Sequence, residues 1–149
     1  MSNLITGQGS CLCGSVRVSA KTMSNKAGAC HCHMCQKWAG GSLMMVDCGS
    51  DVSFQDRENV AAFNSSEWAE RGFCKKCGSH LFYRLKAQNQ YFMPVGIFDG
   101  AEQFVLDHQI FIEEKPEYYC FSNETQNMTG AEVFAMFASA TESSTEKTG

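Results

Sequence analysis

The stretch Cys30-His31-Cys32-His33-Met34-Cys35 places three thiols and two imidazoles within six residues. No packing argument requires this composition, and three thiols are too many for one disulfide. Three sulfurs this close together can all reach one ion if the backbone folds around it. Zn²⁺ is the ion that thiolate-rich tetrahedral sites favour, whereas iron–sulfur sites usually show four cysteines. The stretch therefore predicts a metal site around which the rest of the chain is organised.

Two further cysteine pairs occur elsewhere in the chain. Cys74-Lys-Lys-Cys77-Gly is a C-x-x-C-G knuckle, a common half of a zinc site, and Cys11-Leu-Cys13-Gly14 is a weaker signal that needs a partner. Gly14 permits the tight turn that lets backbone amides face the sulfurs. Because the two pairs jointly supply four sulfurs, we predict one closed site of four sulfurs and one site of three sulfurs with an open position. The closed site is predicted to contain Cys11, Cys13, Cys74 and Cys77, and the open site Cys30, Cys32 and Cys35.

Two other side chains compete for the fourth position of the three-sulfur site. Cys48 follows an apolar run and is more typical of a small core residue, and His33 lies inside the cysteine stretch. We interpret His31 and His33 as structural or exposed histidines, so no general base is evident in the sequence. Either His33 or Cys48 would close the site and favour a function without catalysis.

Length, composition and charge place the chain among ordinary globular proteins. It has 149 residues, 44% of them apolar, and eleven phenylalanines give a core its bulk. One domain spanning residues 1–149 is expected, with a core of about 7–119 and a C-terminal extension of 120–149. The net charge of −4 argues against a general nucleic-acid or anionic-membrane binder, because such a protein needs a basic patch.

The cellular compartment is inferred from what the sequence lacks and from its cysteines. The first thirty residues show no basic start followed by an apolar run, and no segment reaches the roughly 18 apolar residues of a membrane span. We expect a cytoplasmic protein, where clustered cysteines more often bind metal than form disulfides. The odd total of nine cysteines fits the same interpretation.

Hydrophobic periodicity predicts a series of short strands. They cover Ser15–Ala20, Ser42–Cys48, Val60–Phe63, His80–Leu85, Tyr91–Phe98 and His108–Ile112. Pro94 makes a central place in a sheet less favourable for the strand that contains it, or marks a bulge. His80 and His108 lie in strand contexts without ligand spacing, and we interpret both as structural.

The remaining segments are predicted as turns, one helical turn, one helix and loose ends. Residues 1–6 are expected to be a loose end and 21–29 a polar turn, while residues 36–39 form one helical turn stopped by Gly40-Gly41. Thr129-x-x-Glu132 is a capping box that opens a helix to about Ala140, with Val133, Met136, Phe137 and Ala140 on its apolar face. The polar tail from residue 141 is expected to be disordered.

Taken in order, these motifs resemble the glutathione-dependent formaldehyde-activating (GFA) family. The matching segments are Gly9–Val16, Cys30–Cys35, Gly40-Gly41, Arg71–Ser79, His108–Phe111 and Lys115-Pro116. The resemblance implies a mainly β fold of small twisted antiparallel sheets, called a β-tent, stapled by zinc, to which the capping box at Thr129 adds a short C-terminal helix. It also implies two zinc ions per chain. The implied structural zinc lies on Cys11, Cys13, Cys74 and Cys77, and the implied catalytic-type zinc on Cys30, Cys32 and Cys35.

The resemblance further implies a carbon–sulfur lyase similar to S-(hydroxymethyl)glutathione synthase. Its substrates would be a small thiol such as glutathione and an aldehyde, namely formaldehyde, and its partners neither nucleic acid nor membrane. Two features depart from the family pattern: His108-Gln109-Ile110 separates a usually adjacent pair, and the segment after Tyr119 is unusual. Two alternatives stay open, a thiol carrier or redox sensor and a zinc-stabilised interaction module. The sequence assigns no substrate-binding residue.

Overall fold

The alternation of apolar and polar residues produces a mainly β chain, as predicted. The computed structural model describes residues 4–138, which contain eleven strands, a short helix α1 and a C-terminal helix α2. The strands are β1 Leu4–Ser10, β2 Arg17–Ser24, β3 Lys26–Cys30, β4 Leu43–Gly49, β5 Val52–Gln55, β6 Val60–Asn64, β7 Ala69–Cys74, β8 His80–Leu85, β9 Gln90–Pro94, β10 Val105–Ile110 and β11 Gln126–Met128. The helices are α1 His33–Ala39 and α2, residues 130–138.

The described residues fall into two units. The first unit contains residues 4–27 and 44–105, and the second contains residues 28–43 and 106–138. Within residues 4–138 no helix has the length and apolar character needed to span a bilayer.

The first unit begins with an antiparallel sheet in the order β1-β2-β5. Val18 and Ala20 are buried in β2, which confirms the predicted alternation. Two predictions for the neighbouring segments were wrong. Residues 4–6 belong to strand β1 and not to a loose end, and strand β2 continues to Ser24, into the predicted turn of residues 21–29. The buried positions of β1 are Gly7 and Gly9, so this strand carries no apolar pattern that a sequence reading can detect.

The rest of the first unit is a set of antiparallel strands in the order β4-β9-β8-β7-β6. Strand β9 lies between β4 and β8, so the prediction that Pro94 makes a central position less likely was wrong. Pro94 is the last residue of β9, opposite Met45, so its missing N–H interrupts the ladder only at the strand end. Phe82 and Tyr91 meet edge to face at 5.2 Å in the core between these strands and β5.

The second unit contains α1, and its strand order is β11-β10-β3. Helix α1 starts three residues earlier than predicted, because the Cys32 sulfur accepts a hydrogen bond from the Cys35 amide and caps the helix. It ends at Gly40, whose φ of 83° supports the predicted stop. Strand β11 pairs in parallel with β10 and was not predicted, since its sequence Gln-Asn-Met has no apolar alternation.

Helix α2 begins with the predicted capping box. The Thr129 amide donates to Glu132 Oε1 at 2.9 Å, and the Glu132 amide donates to Thr129 Oγ1 at 3.2 Å. The predicted apolar face is only partly right, since Val133 is buried whereas Met136 is 53% exposed. Phe134 instead contacts Phe111, edge to face at 5.8 Å. The predicted helix end and the tail from residue 141 lie outside the described residues.

Candidate metal centres

Two similar turns bring together the four cysteines of the predicted closed site, all in the first unit. Gly14 and Gly78, which each follow the second cysteine of a pair, both have a φ of 79°. This left-handed conformation favours glycine and turns the chain back sharply. The Gly14 amide donates to the Cys11 carbonyl at 3.1 Å, and the Gly78 amide to the Cys74 carbonyl at 2.8 Å. The two turns therefore present their thiols toward one point.

The sulfur spacing of this four-cysteine group (Cys11, Cys13, Cys74 and Cys77) fits a tetrahedral zinc ion. All four sulfurs lie within 4.8 Å of one another. Cys13 Sγ lies 3.7 Å from Cys11 Sγ and 3.9 Å from Cys74 Sγ. A zinc ion with Zn–S bonds of about 2.3 Å in a tetrahedron places its sulfurs about 3.8 Å apart. The group can thus hold zinc with all four positions filled.

Hydrogen bonds favour ionised sulfurs at Cys13 and Cys77 of the four-cysteine group, whereas burial and the thiols of Cys77 and Cys11 raise the pKa of Cys74. The Val16 amide donates to Cys11 Sγ at 3.3 Å, and the Lys76 amide donates to Cys74 Sγ at 3.4 Å. The Ser79 hydroxyl, 3.2 Å from Cys77 Sγ, and the Ser79 amide lower the pKa of Cys77 to about 5. The hydroxyl and amide of Ser15 lower the pKa of Cys13 in the same way. Thiolates are the form that binds metal.

The three-cysteine group (Cys30, Cys32 and Cys35) lies in the second unit, where β3 leads into α1. Cys30 ends the strand, Cys32 is the N-cap of the helix, and Cys35 lies one turn further on. Their sulfurs all lie within 4.8 Å of one another. Cys30 and Cys35 are buried, whereas Cys32 is half-buried. The strand-to-helix turn therefore gathers the three thiols that the sequence predicted to act together.

Electrostatics within the three-cysteine group favour a bound cation. The neighbouring thiols of Cys32 and Cys35, together with burial, raise the pKa of Cys30 above its ordinary value. Three thiolates this close repel one another, and a divalent cation removes that repulsion. The donor set and spacing therefore suit a soft divalent metal such as zinc. None of the nine cysteines, all of which lie in the described part of the chain, forms a disulfide.

Neither candidate for the fourth position belongs to the three-cysteine group. The His33 side chain is 77% exposed, and its Nε2 lies 3.3 Å from Glu114 Oε1, which also accepts the His33 amide hydrogen. Cys48 is fully buried in β4, where burial raises its pKa to about 12 and keeps the thiol neutral. Its Sγ lies 3.6 Å from the Val46 carbonyl oxygen.

Sequence reasoning missed the residues that surround His31. This imidazole is fully buried, with Nε2 2.8 Å from Gln109 Oε1 and Nδ1 2.7 Å from the Tyr119 hydroxyl. The only signal was the departure at His108-Gln109-Ile110, where a glutamine stands in an apolar strand. His31 is thus a structural histidine, as interpreted from the sequence.

The other two histidines also agree with a structural interpretation. Burial, followed by the positive charge of Arg71, lowers the pKa of His80. His108 Nδ1 lies 2.6 Å from Asp107 Oδ1.

A polar cavity of about 190 Å³ opens on the β1-β2-β5 sheet of the first unit. It is lined by Gln8, Arg17, Val18, Ser19, Ser53 and Gln55, so none of the predicted ligands borders it.

Comparisons with known proteins place this chain in a family. It belongs to the glutathione-dependent formaldehyde-activating enzyme family, whose model matches residues 6–114. It is 36% identical over 127 residues to a protein of Schizosaccharomyces pombe named as an uncharacterized lyase, a match covering 85% of this chain and 93% of that protein.

A solved structure agrees with the fold. The crystal structure of a Rhodobacter sphaeroides protein superposes with a TM-score of 0.55 at 23% identity, covering 62% of this chain and 88% of the other. The family resemblance predicted from the sequence is therefore confirmed. The family and the lyase name of the relative support a lyase-type enzyme in general terms.

Proposed function

We propose that this protein is a zinc-dependent carbon–sulfur lyase that acts on the adduct of an aldehyde and a thiol, as in S-(hydroxymethyl)glutathione synthesis. Glutathione is the proposed thiol and formaldehyde the proposed aldehyde. The observation that carries the proposal is the three-cysteine group, in which three sulfurs lie within 4.8 Å and no fourth ligand from the described residues joins them. Membership of the formaldehyde-activating family supports the choice of substrates.

Each cysteine group has a proposed role toward zinc. The four-cysteine group would hold a structural zinc ion, and the three-cysteine group would hold a second zinc with a position left for an exogenous ligand. When bound there, zinc supplies Lewis acidity that lowers the pKa of a thiol or polarises a carbonyl. Half-buried Cys32 marks the side from which a small thiol can approach, since Cys30 and Cys35 are buried.

The proposed reaction needs no oxidant or reductant. The thiol loses its S–H proton, its sulfur forms a bond to the carbonyl carbon, and the carbonyl oxygen takes up a proton as the C=O π bond breaks. The product is S-hydroxymethylglutathione, and the lyase direction reverses each change. A free thiol of pKa about 8.5 is roughly 3% ionised at pH 7. Full ionisation therefore contributes about 30-fold, or ~2 kcal/mol, so the expected acceleration is modest.

No residue is assigned as a general base. His33 is the exposed titratable group nearest in sequence to the three cysteines, and it lies beside the Glu114 carboxylate. This carboxylate also accepts the first amide hydrogen of α1, which gives Glu114 a structural role. The chain's own contribution in this proposal is to hold three thiolates together and leave one side accessible.

X-ray absorption at the zinc edge tests the proposal directly. With both groups occupied, the wild-type protein should average about 3.5 sulfurs per zinc, rising to about 4 when glutathione is added. Cys32→Ser should retain one zinc with about four sulfurs, should not respond to glutathione, and should lose thiol-dependent turnover while staying folded. Cys120→Ser, which removes an exposed thiol outside both groups, is the matched control.

Two results would overturn the proposal. A wild-type spectrum unchanged at saturating glutathione removes the case for thiol binding at zinc and favours the interaction module. A response to glutathione without turnover above the uncatalysed rate favours the thiol carrier.

A further inference from the structure

The buried imidazole of His31 has both ring nitrogens occupied by named partners. Gln109 Oε1 can only accept a hydrogen bond, so the His31 nitrogen facing it, Nε2, carries the hydrogen. In the neutral ring Nδ1 is then an acceptor, and the Tyr119 hydroxyl donates to it at 2.7 Å. The Tyr119 and Phe121 rings lie 5.8 and 6.1 Å from the imidazole. The ring is therefore fixed in orientation as well as in position.

The hydrogen-bond chain continues beyond the imidazole. The Gln109 amide nitrogen donates to Thr125 Oγ1 at 2.8 Å, and that hydroxyl donates to Asn127 Oδ1 at 2.7 Å. Gln109 is only 6% exposed, and both the oxygen and the nitrogen of its buried amide have a hydrogen-bond partner. This pairing matters because an unpaired buried amide carries a desolvation penalty. The chain therefore connects His31 to the strand β11.

The backbone of His31 is held as firmly as its ring. Its amide donates to the Ile110 carbonyl at 3.1 Å, and its carbonyl accepts from Gln36 Nε2 at 2.7 Å. The same Gln36 nitrogen donates to the Glu114 carbonyl at 3.0 Å. His31 lies between Cys30 and Cys32, so whatever fixes His31 also fixes the two cysteines on either side of it.

Several partners of His31 come from outside the part of the chain that matches the family. The family model ends at residue 114, whereas Tyr119, Phe121 and Thr125 follow it. Tyr119 and Phe121 therefore contact His31 from outside the matched region, and Thr125 pairs with Gln109 from the same segment.

We propose that Tyr119 and Gln109 are positioning residues for the three-cysteine group, and that Tyr119 does so from outside the region that matches the family. The inference rests on the metal-binding part of the proposed function and is independent of the reaction. A tetrahedral ion holds its sulfurs about 3.8 Å apart, so a loosened loop must reorder before it binds. Mutation of residues that orient metal ligands without contacting the metal typically weakens metal affinity by about 10–100-fold.

The test measures zinc affinity at the three-cysteine group in the zinc-loaded protein, by competition with a chromophoric chelator. The Cys32→Ser variant should hold zinc only at the four-cysteine group. Comparison with this variant therefore identifies which part of the zinc release comes from the three-cysteine group. Tyr119→Phe removes a single hydroxyl, and its matched control is Tyr118→Phe, at a neighbouring ring that is 77% exposed. Gln109→Leu removes both hydrogen bonds of the amide, and its control is Gln88→Leu, at an exposed turn residue outside both cysteine groups.

We expect Tyr119→Phe to weaken zinc binding at the three-cysteine group by about tenfold and Gln109→Leu by more. The four-cysteine group should keep its zinc, and both controls should match the wild type. The spread of Zn–S distances at the zinc edge should widen in Tyr119→Phe, which a loss of overall stability alone does not produce. If Gln109→Leu fails to fold, Tyr119→Phe decides the matter.

The two proposals fail in different ways. A folded Tyr119→Phe variant with the zinc affinity and Zn–S spread of Tyr118→Phe overturns the positioning role and leaves the proposed reaction intact. A wild-type protein that binds two zinc ions but shows no turnover overturns the reaction alone.

Discussion

Replacing Cys77 with serine should remove the cross-link between the two turns of the four-cysteine group. Cys13 and Cys74 are 61 residues apart in sequence yet their sulfurs lie 3.9 Å apart. Closing a loop of this length in the unfolded chain corresponds to about 4 kcal/mol by the chain-entropy model used for disulfides. Since a domain has a free energy of unfolding of only about 5–15 kcal/mol, this loss is a large fraction of the total.

The expected thermal effect follows from that free energy. A change of 1 kcal/mol moves Tm by about 2–4 °C in a protein of this size, so Cys77→Ser should lower Tm by roughly 8–16 °C. The assay is calorimetry together with zinc content by mass spectrometry, on protein purified under reducing conditions. Cys120→Ser is the control, since that exposed thiol lies outside both groups. A Cys77→Ser protein with wild-type Tm and two zinc ions would refute the structural assignment.

Three further substitutions test other features. Gly9→Ala should destabilise the first unit by about 1–3 kcal/mol in denaturant unfolding, because the new Cβ would lie 1.9 Å from the Ile97 carbonyl oxygen. Gly41→Ala is the control, since a Cβ there meets nothing within 4 Å and should leave the free energy of unfolding unchanged. Thr129→Ala should speed amide exchange at the start of α2 by removing a cap of about 1 kcal/mol. The amide and then the hydroxyl of Thr129 lower the pKa of Glu132, and Thr129→Ala removes only the hydroxyl. The part of the exchange difference that the hydroxyl makes through the Glu132 carboxylate should be present above the ordinary carboxyl pKa and shrink as pH falls through the lowered value. Cys48→Ala should keep both zinc ions in a zinc assay, and the loss of one would instead make Cys48 a ligand.

Local signals explain why much of the molecule was predictable. The cysteines of each turn are close in sequence, so their spacing alone indicated both groups. Strand β8 spans His80–Leu85 as predicted, since four of its six residues, Leu81, Phe82, Tyr83 and Leu85, are apolar or aromatic and turns flank the segment. The capping box at Thr129 spans only four residues, Thr129 to Glu132. In each case the information lies within a few neighbouring residues.

Features that depend on distant contacts could not be predicted. Strand β1 uses Gly7 and Gly9 as its buried residues because other chain segments approach them closely, and a glycine gives no apolar signal. Gln109 and Tyr119 reach His31 across 78 and 88 residues of sequence. A polar residue acquires such a role only from its tertiary partner, which sequence spacing does not reveal.

The two cysteine groups also differ in when they can form during biosynthesis. The three-cysteine group lies within six consecutive residues, and a loop of about ten residues closes in roughly 10–100 ns, so this stretch can capture an ion while the chain is still unfolded. The four-cysteine group must wait until Cys74 and Cys77 have been synthesised and brought back to Cys11 and Cys13. If both groups take zinc, the three-cysteine stretch is complete first, but its full affinity waits for Gln109 and Tyr119, which are synthesised after Cys77. The four-cysteine group has all of its ligands before Gln109 is synthesised, so the later of the two groups to begin forming is the first that can reach its final affinity.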